Sequence, residues 1–204
     1  MRIIGLCGGS GSGKGAVSEC LSACGIPCID LDKVYHELIS TKTTCLEEIV
    51  SEFGDSIVSV SGTLDRKALA AIVFCGYGCE SRLARLNEIT HKHVIAEAER
   101  IISDLASRGC DCVAVDAPLL FESGYDKRCD LTVAVVADRG LRIERIASRD
   151  GISAEQAENR INSQIADAEL VERADYVIYN NGSKEELSAS VGELLNKIKT
   201  ELEI

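Results

Sequence analysis

Gly8, Gly13 and Lys14, within the stretch LCGGSGSGKGAV from Leu6 to Val17, fall at the spacing G-x-x-x-x-G-K. That spacing surrounds a phosphate group with backbone amides and brings a lysine to its outer oxygens. The next position in such a loop carries a hydroxyl for Mg2+. Here it is Gly15, and Ala16 after it supplies no oxygen either. A short glycine pattern can also be a chance turn. The strand expected before it, the helix expected after it and a lysine in the first helical turn favour phosphate binding. Gly8, Gly9, Ser10, Gly11, Ser12, Gly13, Lys14, Gly15 and Ala16 are therefore the candidate nucleotide-phosphate site.

Other residues could complete such chemistry. Asp30 and Asp32 follow the second expected strand. One could cap the next helix, and one could accept a proton from a substrate hydroxyl; their spacing leaves the two roles open. Asp116 closes an apolar strand and suits Mg2+, directly or through water, with turn capping as the alternative. Arg142, Arg145, Arg149 and Arg160 could stabilise negative charge during phosphoryl transfer or form a solvated helix face. Arg66 and His91, taken alone, read as surface residues. The ten cysteines include no C-x-x-C, and with three histidines in the chain they read as free, partly buried thiols rather than a zinc site.

These residues need elements to hold them. RIIGLC, from Arg2 to Cys7, is a short apolar run like a buried parallel strand. Val17, Cys20, Leu21 and Cys24 then form a helical stripe ending at Gly25. Further strands are expected at IPCID (26–30), CDCVAVDAP (110–118), DLTVAVVA (130–137) and in DYVIYNNG (175–182). Residues 43–109 read as helical throughout, more than a simple crossover requires. The polar stretch from Asp150 to Arg173 reads as an exposed, mobile lid. A final amphipathic helix carries Leu187, Val191, Leu194, Leu195, Ile198 and Leu202. The expectation is one α/β domain over residues 1–204: a three-layer α/β/α fold with a five-stranded parallel sheet, a helical insertion near 33–109 and a lid near 139–173. The loop, Asp30 to Asp32 and Asp116 to Glu122 all follow strands, where such sheets bind ligands.

Bulk properties narrow the partners. The chain has 204 residues, 46% hydrophobic, with two prolines and no tryptophan, which allows one sizeable aliphatic core. A net charge of -11 opposes binding to nucleic acid, although a local basic pocket remains compatible with it. No stretch approaches the roughly 20 apolar residues of a membrane span, so the expected compartment is the cytoplasm, without a membrane partner.

The chain as a whole resembles the dephospho-coenzyme A kinase family. The resemblance rests on IGLCGGSGSGK, GIPCIDLDKVYHEL, FGDSIVSVSGTLDRKALAAIVF, LNEITHKHV, VAVDAPLLFESGYDKRCDLTVAV and RADYVIYNNGS, in family order. It implies a P-loop kinase fold with a CoA-binding helical part and a lid, and transfer of the ATP γ-phosphoryl to the ribose 3′-hydroxyl of dephospho-CoA with Mg2+. By matching position, Asp32 would be the base, Lys14 would hold phosphates, Arg145 and Arg149 would close over them, and Asn181 would lie near adenine. Leu119, Phe121 and Glu122, with Arg66 and His91, would line the acceptor side. The chain departs from the family pattern at Gly15-Ala16, at His91-Lys92 and in CGYGCESR (75–82). Losing the hydroxyl at position 15 removes one neutral ligand from a metal that readily keeps waters, so activity with weaker metal coordination is expected. A kinase for another small molecule, or a silent ATP- or CoA-binding protein, are the alternatives. Oligomeric state is left open.

Overall fold

The computed structural model describes residues 1–40, 43–76 and 78–202, with the Leu202 side chain outside the described part. The sequence readings at Tyr77 and at the Leu202 side chain thus lie outside the described residues. Five strands, β1 (Arg2–Cys7), β2 (Cys28–Asp30), β3 (Cys112–Asp116), β4 (Leu131–Val136) and β5 (Tyr176–Tyr179), form one sheet in the order β2-β3-β1-β4-β5. β1 runs parallel to both β3 and β4, and β4 runs parallel to β5. From β1 the chain builds β2 and β3 on one side and β4 and β5 on the other. The switch in direction falls at the carboxyl end of β1, where sheets of this kind leave a crevice.

Nine α-helices are found among the described residues: α1 (Lys14–Ala23), α2 (Leu31–Ser40), α3 (Thr44–Phe53), α4 (Arg66–Val73), α5 (Cys79–Ser107), α6 (Arg139–Asp150), α7 (Ala154–Asn162), α8 (Asp167–Arg173) and α9 (Lys184–Leu202). The chain divides into two compact units, one made of residues 1–29 and 105–204, the other of residues 30–104.

In the first unit, alternate strand residues Ile4, Leu6, Ala114, Leu131, Val133 and Val135 meet Val17 and Leu21 of α1 and Leu187, Val191, Leu194, Leu195 and Ile198 of α9. All five residues of β3 and all six of β4 are buried, so both faces of the central sheet are covered. At Gly5 the cover is so close that a Cβ would stand 2.8 Å from the Cys129 sulfur and 3.0 Å from Leu120.

The second unit has its own core of Ile39, Cys45, Ile49, Ile57, Leu69, Val73 and Ile89. The starts of α3 and α4 are capped: Thr43 accepts from the Leu46 amide at 3.1 Å, and Asp65 accepts from Lys67 and Ala68 at 2.9 and 3.0 Å. The expectation of unbroken helix over 43–109 needs one correction. Val58 and Leu64 pair as an antiparallel bridge around SVSGTL, because Gly62 at φ +79° turns the chain back.

The stretch 150–173 is exposed over most of its length, as its polarity suggests, and it also carries a small apolar face. Ser153 and Gln156 form a reciprocal capping box at the start of α7. Ala157 and Ile161 then pack with Ile146 of α6 in a small core of their own, and Leu170 of α8 is 1% exposed. Few apolar residues suffice here, because the helices are short and each presents one narrow face.

Candidate active site

The loop between β1 and α1 sits at the switch point of the sheet. Gly13 precedes α1 with φ +91° and ψ 22°, and no side chain caps the helix. The first amides of a helix have no intrahelical partner, which makes them ready for an anion. Lys14 occupies the first position of that helix and its ammonium is ion-paired with Asp116, at the end of neighbouring β3. The register of β1 on β3 pairs Leu6 with Asp116, which explains how residues 102 positions apart meet. Both side chains are largely withdrawn from water, at 15% and 10% exposure. Ser18, one turn into α1, donates its hydroxyl to the other Asp116 oxygen at 3.3 Å.

Several loop groups already have protein partners. Ser12 donates its amide to Gly9 carbonyl at 3.1 Å, Ala16 donates to Gly13 carbonyl at 3.0 Å, and Ser10 donates to the Gln164 side chain at 2.9 Å. Asn180, 7% exposed, donates to the Ser12 carbonyl at 2.8 Å. The Ser12 hydroxyl is buried with no hydrogen-bond partner among the described residues. A Cβ at Gly8 would stand 2.8 Å from that hydroxyl. Gly15 is exposed, and a side chain there would meet nothing within 4 Å.

The arginines separate clearly. Arg145 donates to the Gly11 carbonyl at 3.3 Å. Arg149 instead forks onto Asp150 at 2.7 and 3.0 Å, and Arg160 is ion-paired with the same carboxylate. Hydrogen bonds from Arg149 and Arg160 hold the Asp150 carboxyl down, to about 2. Asn181 pairs with Asp138, accepting from its amide at 2.8 Å and donating to its carboxylate at 2.9 Å. Leu119 is 57% exposed, Glu122 is exposed, and Phe121 is buried beneath the Arg173 guanidinium, 4.3 Å from the ring centroid. Cys7, at the end of β1, has its thiol pushed up to about 12 by burial and then by nearby Glu122.

Within the second unit, Asp30 accepts from the Lys33 amide at 3.0 Å and so takes the capping role, leaving Asp32 exposed in the first turn of α2. Arg66, first residue of α4, lies 3.0 Å from the Nδ1 of His36. His91 is exposed on α5, while neighbouring His93 meets Glu48 at 2.8 Å.

Sequence reasoning missed Ser18, Gln164 and Asn180. Ser18 sits one helical turn beyond Lys14, and Asn180 directly follows β5; both positions carried a usable signal. Gln164 lay in a stretch read as solvated and carried none.

A parallel sheet with this loop at its switch point, a lysine at the helix start and an acid closing the adjacent strand defines a P-loop kinase of the α/β class. The family model for dephospho-CoA kinase matches residues 2–186. A dephospho-CoA kinase of Fusobacterium nucleatum is 42% identical over 192 residues, covering 94% of this chain and 95% of the relative. Among solved structures, TT1252 from Thermus thermophilus aligns with a TM-score of 0.78 at 33% identity, over 96% of this chain and 97% of that one. Dephospho-CoA kinase from Campylobacter jejuni aligns with a TM-score of 0.70 at 26% identity, over 98% of each chain. The chain belongs to the dephospho-CoA kinase family.

Proposed function

We propose that this chain transfers the γ-phosphoryl group of ATP to the ribose 3′-hydroxyl of dephospho-CoA, the last step of coenzyme A synthesis. The observation that carries the reading is the Lys14–Asp116 pair beside an uncapped helix start, at the switch point of the sheet. Free amides of the loop and the Lys14 ammonium bind the ATP phosphates, and Lys14 turns from Asp116 to phosphate oxygen as nucleotide enters. Arg145, already at the loop, balances charge that gathers on the transferred group, and Arg149 joins it from the same helix. Asp32, free of the cap that Asp30 supplies, accepts the proton of the attacking hydroxyl. Leu119, Phe121, Glu122, Arg66 and His91 hold the acceptor, and Asn181 lies near the adenine.

The donor chemistry fits Mg2+. No group of three or more His, Cys, Asp or Glu arranged to hold a metal ion is found among the described residues, and the site beside the loop offers one carboxylate, Asp116, with the Ser18 hydroxyl against it. A metal that keeps its waters and leans on nucleotide phosphates needs little more. When bound, Mg2+ neutralises charge on the phosphate oxygens. Gly15 offers the ion no hydroxyl, so Asp116 and water would hold it.

No helix among the described residues is long and apolar enough to cross a membrane, and we place the enzyme in the cytoplasm. ADP release from purified protein with ATP, Mg2+ and dephospho-CoA tests the reading, beside Lys14→Ala. Turnover that vanishes in Lys14→Ala supports it. Tight ATP binding without any phosphorylated product overturns it in favour of a silent binding protein, and turnover only with another acceptor reassigns the substrate.

A further inference from the structure

Arg142 is 2% exposed although half of the residues of its helix, α6, are charged. It shares its face with Ile146 one turn later, so an arginine stands on the buried stripe of α6. A guanidinium withdrawn from water needs its donors satisfied. Its Nε donates to the Ser10 carbonyl at 2.9 Å, Nη1 donates to both Asp167 oxygens at 2.6 and 2.7 Å, and Nη2 donates to the Gln164 Oε1 at 3.3 Å. That same Gln164 oxygen accepts the Ser10 amide at 2.9 Å, and its Nε2 donates to the Ser10 hydroxyl at 3.2 Å. One cluster therefore takes the carbonyl, the amide and the hydroxyl of a single loop residue.

The glycines on either side of Ser10 have been shaped by this cluster. A Cβ on Gly9 would collide with the Arg142 guanidinium, and one on Gly11 would stand 2.7 Å from the Arg142 carbonyl. Two of the glycines that read as a phosphate cradle thus also make room for Arg142. We infer that Arg142, Gln164 and Asp167 form a strut that fixes Ser10 and its flanking peptides in the shape that receives nucleotide, so that Arg142 and Gln164 are positioning residues for ATP. This rests on the kinase reading above. A loop with glycine at 8, 9, 11 and 13 has much conformational freedom to lose when it grips phosphate. The strut removes part of that freedom before binding. Arg142 acts here toward the protein, since each nitrogen of its guanidinium donates to a protein oxygen. Asp167 holds the arginine with both oxygens on Nη1, and Gln164 adds a contact at Nη2.

The test uses the full chain with Gln164→Ala and Asp167→Asn, checked first by thermal melting. Amide exchange is read at Ser10 without nucleotide, ATP affinity by calorimetry, and kcat and KM at saturating acceptor. In folded Gln164→Ala, Ser10 exchange rises at least about tenfold, ATP affinity weakens about 5- to 20-fold, and kcat at saturating ATP and KM for dephospho-CoA stay near native. Asp167→Asn shifts the same quantities in the same direction by less. Unchanged Ser10 exchange overturns the strut. Faster exchange with ATP affinity intact overturns its positioning role. A native chain with no affinity for ATP overturns the kinase reading itself, a result distinct from either.

Discussion

Charged side chains are used in opposite ways around the phosphate loop of the first unit and on the helices of the second. Around the loop of the first unit they are drawn out of water: Lys14 and Asp116 at 15% and 10% exposure, and Arg142 at 3% against Asp167. On the helices of the second unit they stay in it, as in Arg85 with Glu52 and Glu88, Lys92 with Glu48, and Arg100 with Glu97. Exposed pairs gain little, since water and salt screen them and two long side chains must be ordered. Withdrawn pairs lose solvation on both partners and repay it only through exact geometry or through function. The contrast says where this chain has placed charge in order to act, and where it has placed charge in order to stay dissolved.

The sharpest way to test that contrast is Lys14→Ala, which removes the cation that pairs with Asp116. Steady-state ADP release should fall by at least about 100-fold. Asp116→Asn follows: it removes the carboxylate and leaves Lys14 without its ion pair, and magnesium titration of turnover should show an apparent Mg2+ affinity about 10- to 100-fold weaker. Gly15→Ser adds to the loop in open space and should act in the other direction, by a smaller factor: a stronger apparent Mg2+ affinity in the same titration, with helix α1 slightly stabilised. In the second unit, Arg85→Ala should leave turnover unchanged and the thermal midpoint within about 2 °C of native. A large loss from Arg85→Ala would break the contrast.

The smallest effect concerns acid. Asp150 is exposed and held from its ordinary 3.8 to about 2, first by Arg149 and then by Arg160. Its folded value is below its unfolded one, so its contribution is present above the ordinary value and fades as pH falls through about 2. Carboxyl titration by NMR should place the midpoint near 2, rising towards 3.8 in Arg149→Ala.

Much of the fold was legible because it is written locally. RIIGLC, CVAVD and LTVAVV are short apolar runs that could hardly be anything but buried strands, and the glycine loop announces the helix after it. The hairpin around Gly62 was hidden because a two-residue bridge has no periodicity. The roles of Asp30 and Asp32 were undecidable by spacing, since either carboxylate reaches the next turn; only the hydrogen bond to Lys33 separates them. Arg142 was the hardest to see. Charge marked it as surface, while its position four residues before Ile146 placed it on the buried stripe, and the balance was tipped by Asp167 and Gln164 from segments that sequence cannot bring to its side.

The central place of β1 also governs when the loop can let go. Its strand is bonded on both edges, to β3 and to β4, while β5 pairs within the sheet on one edge only. Amides held this way are released only when the whole sheet opens, whereas edge strands and short helices can fray by themselves. The entrance of the phosphate loop is therefore anchored to the last part of the molecule to unfold. α7 and α8 can breathe without displacing that anchor, but Gln164 and Asp167 brace Ser10, so a ligand that grips the loop is linked both to the global stability of the sheet and to the local opening of that segment.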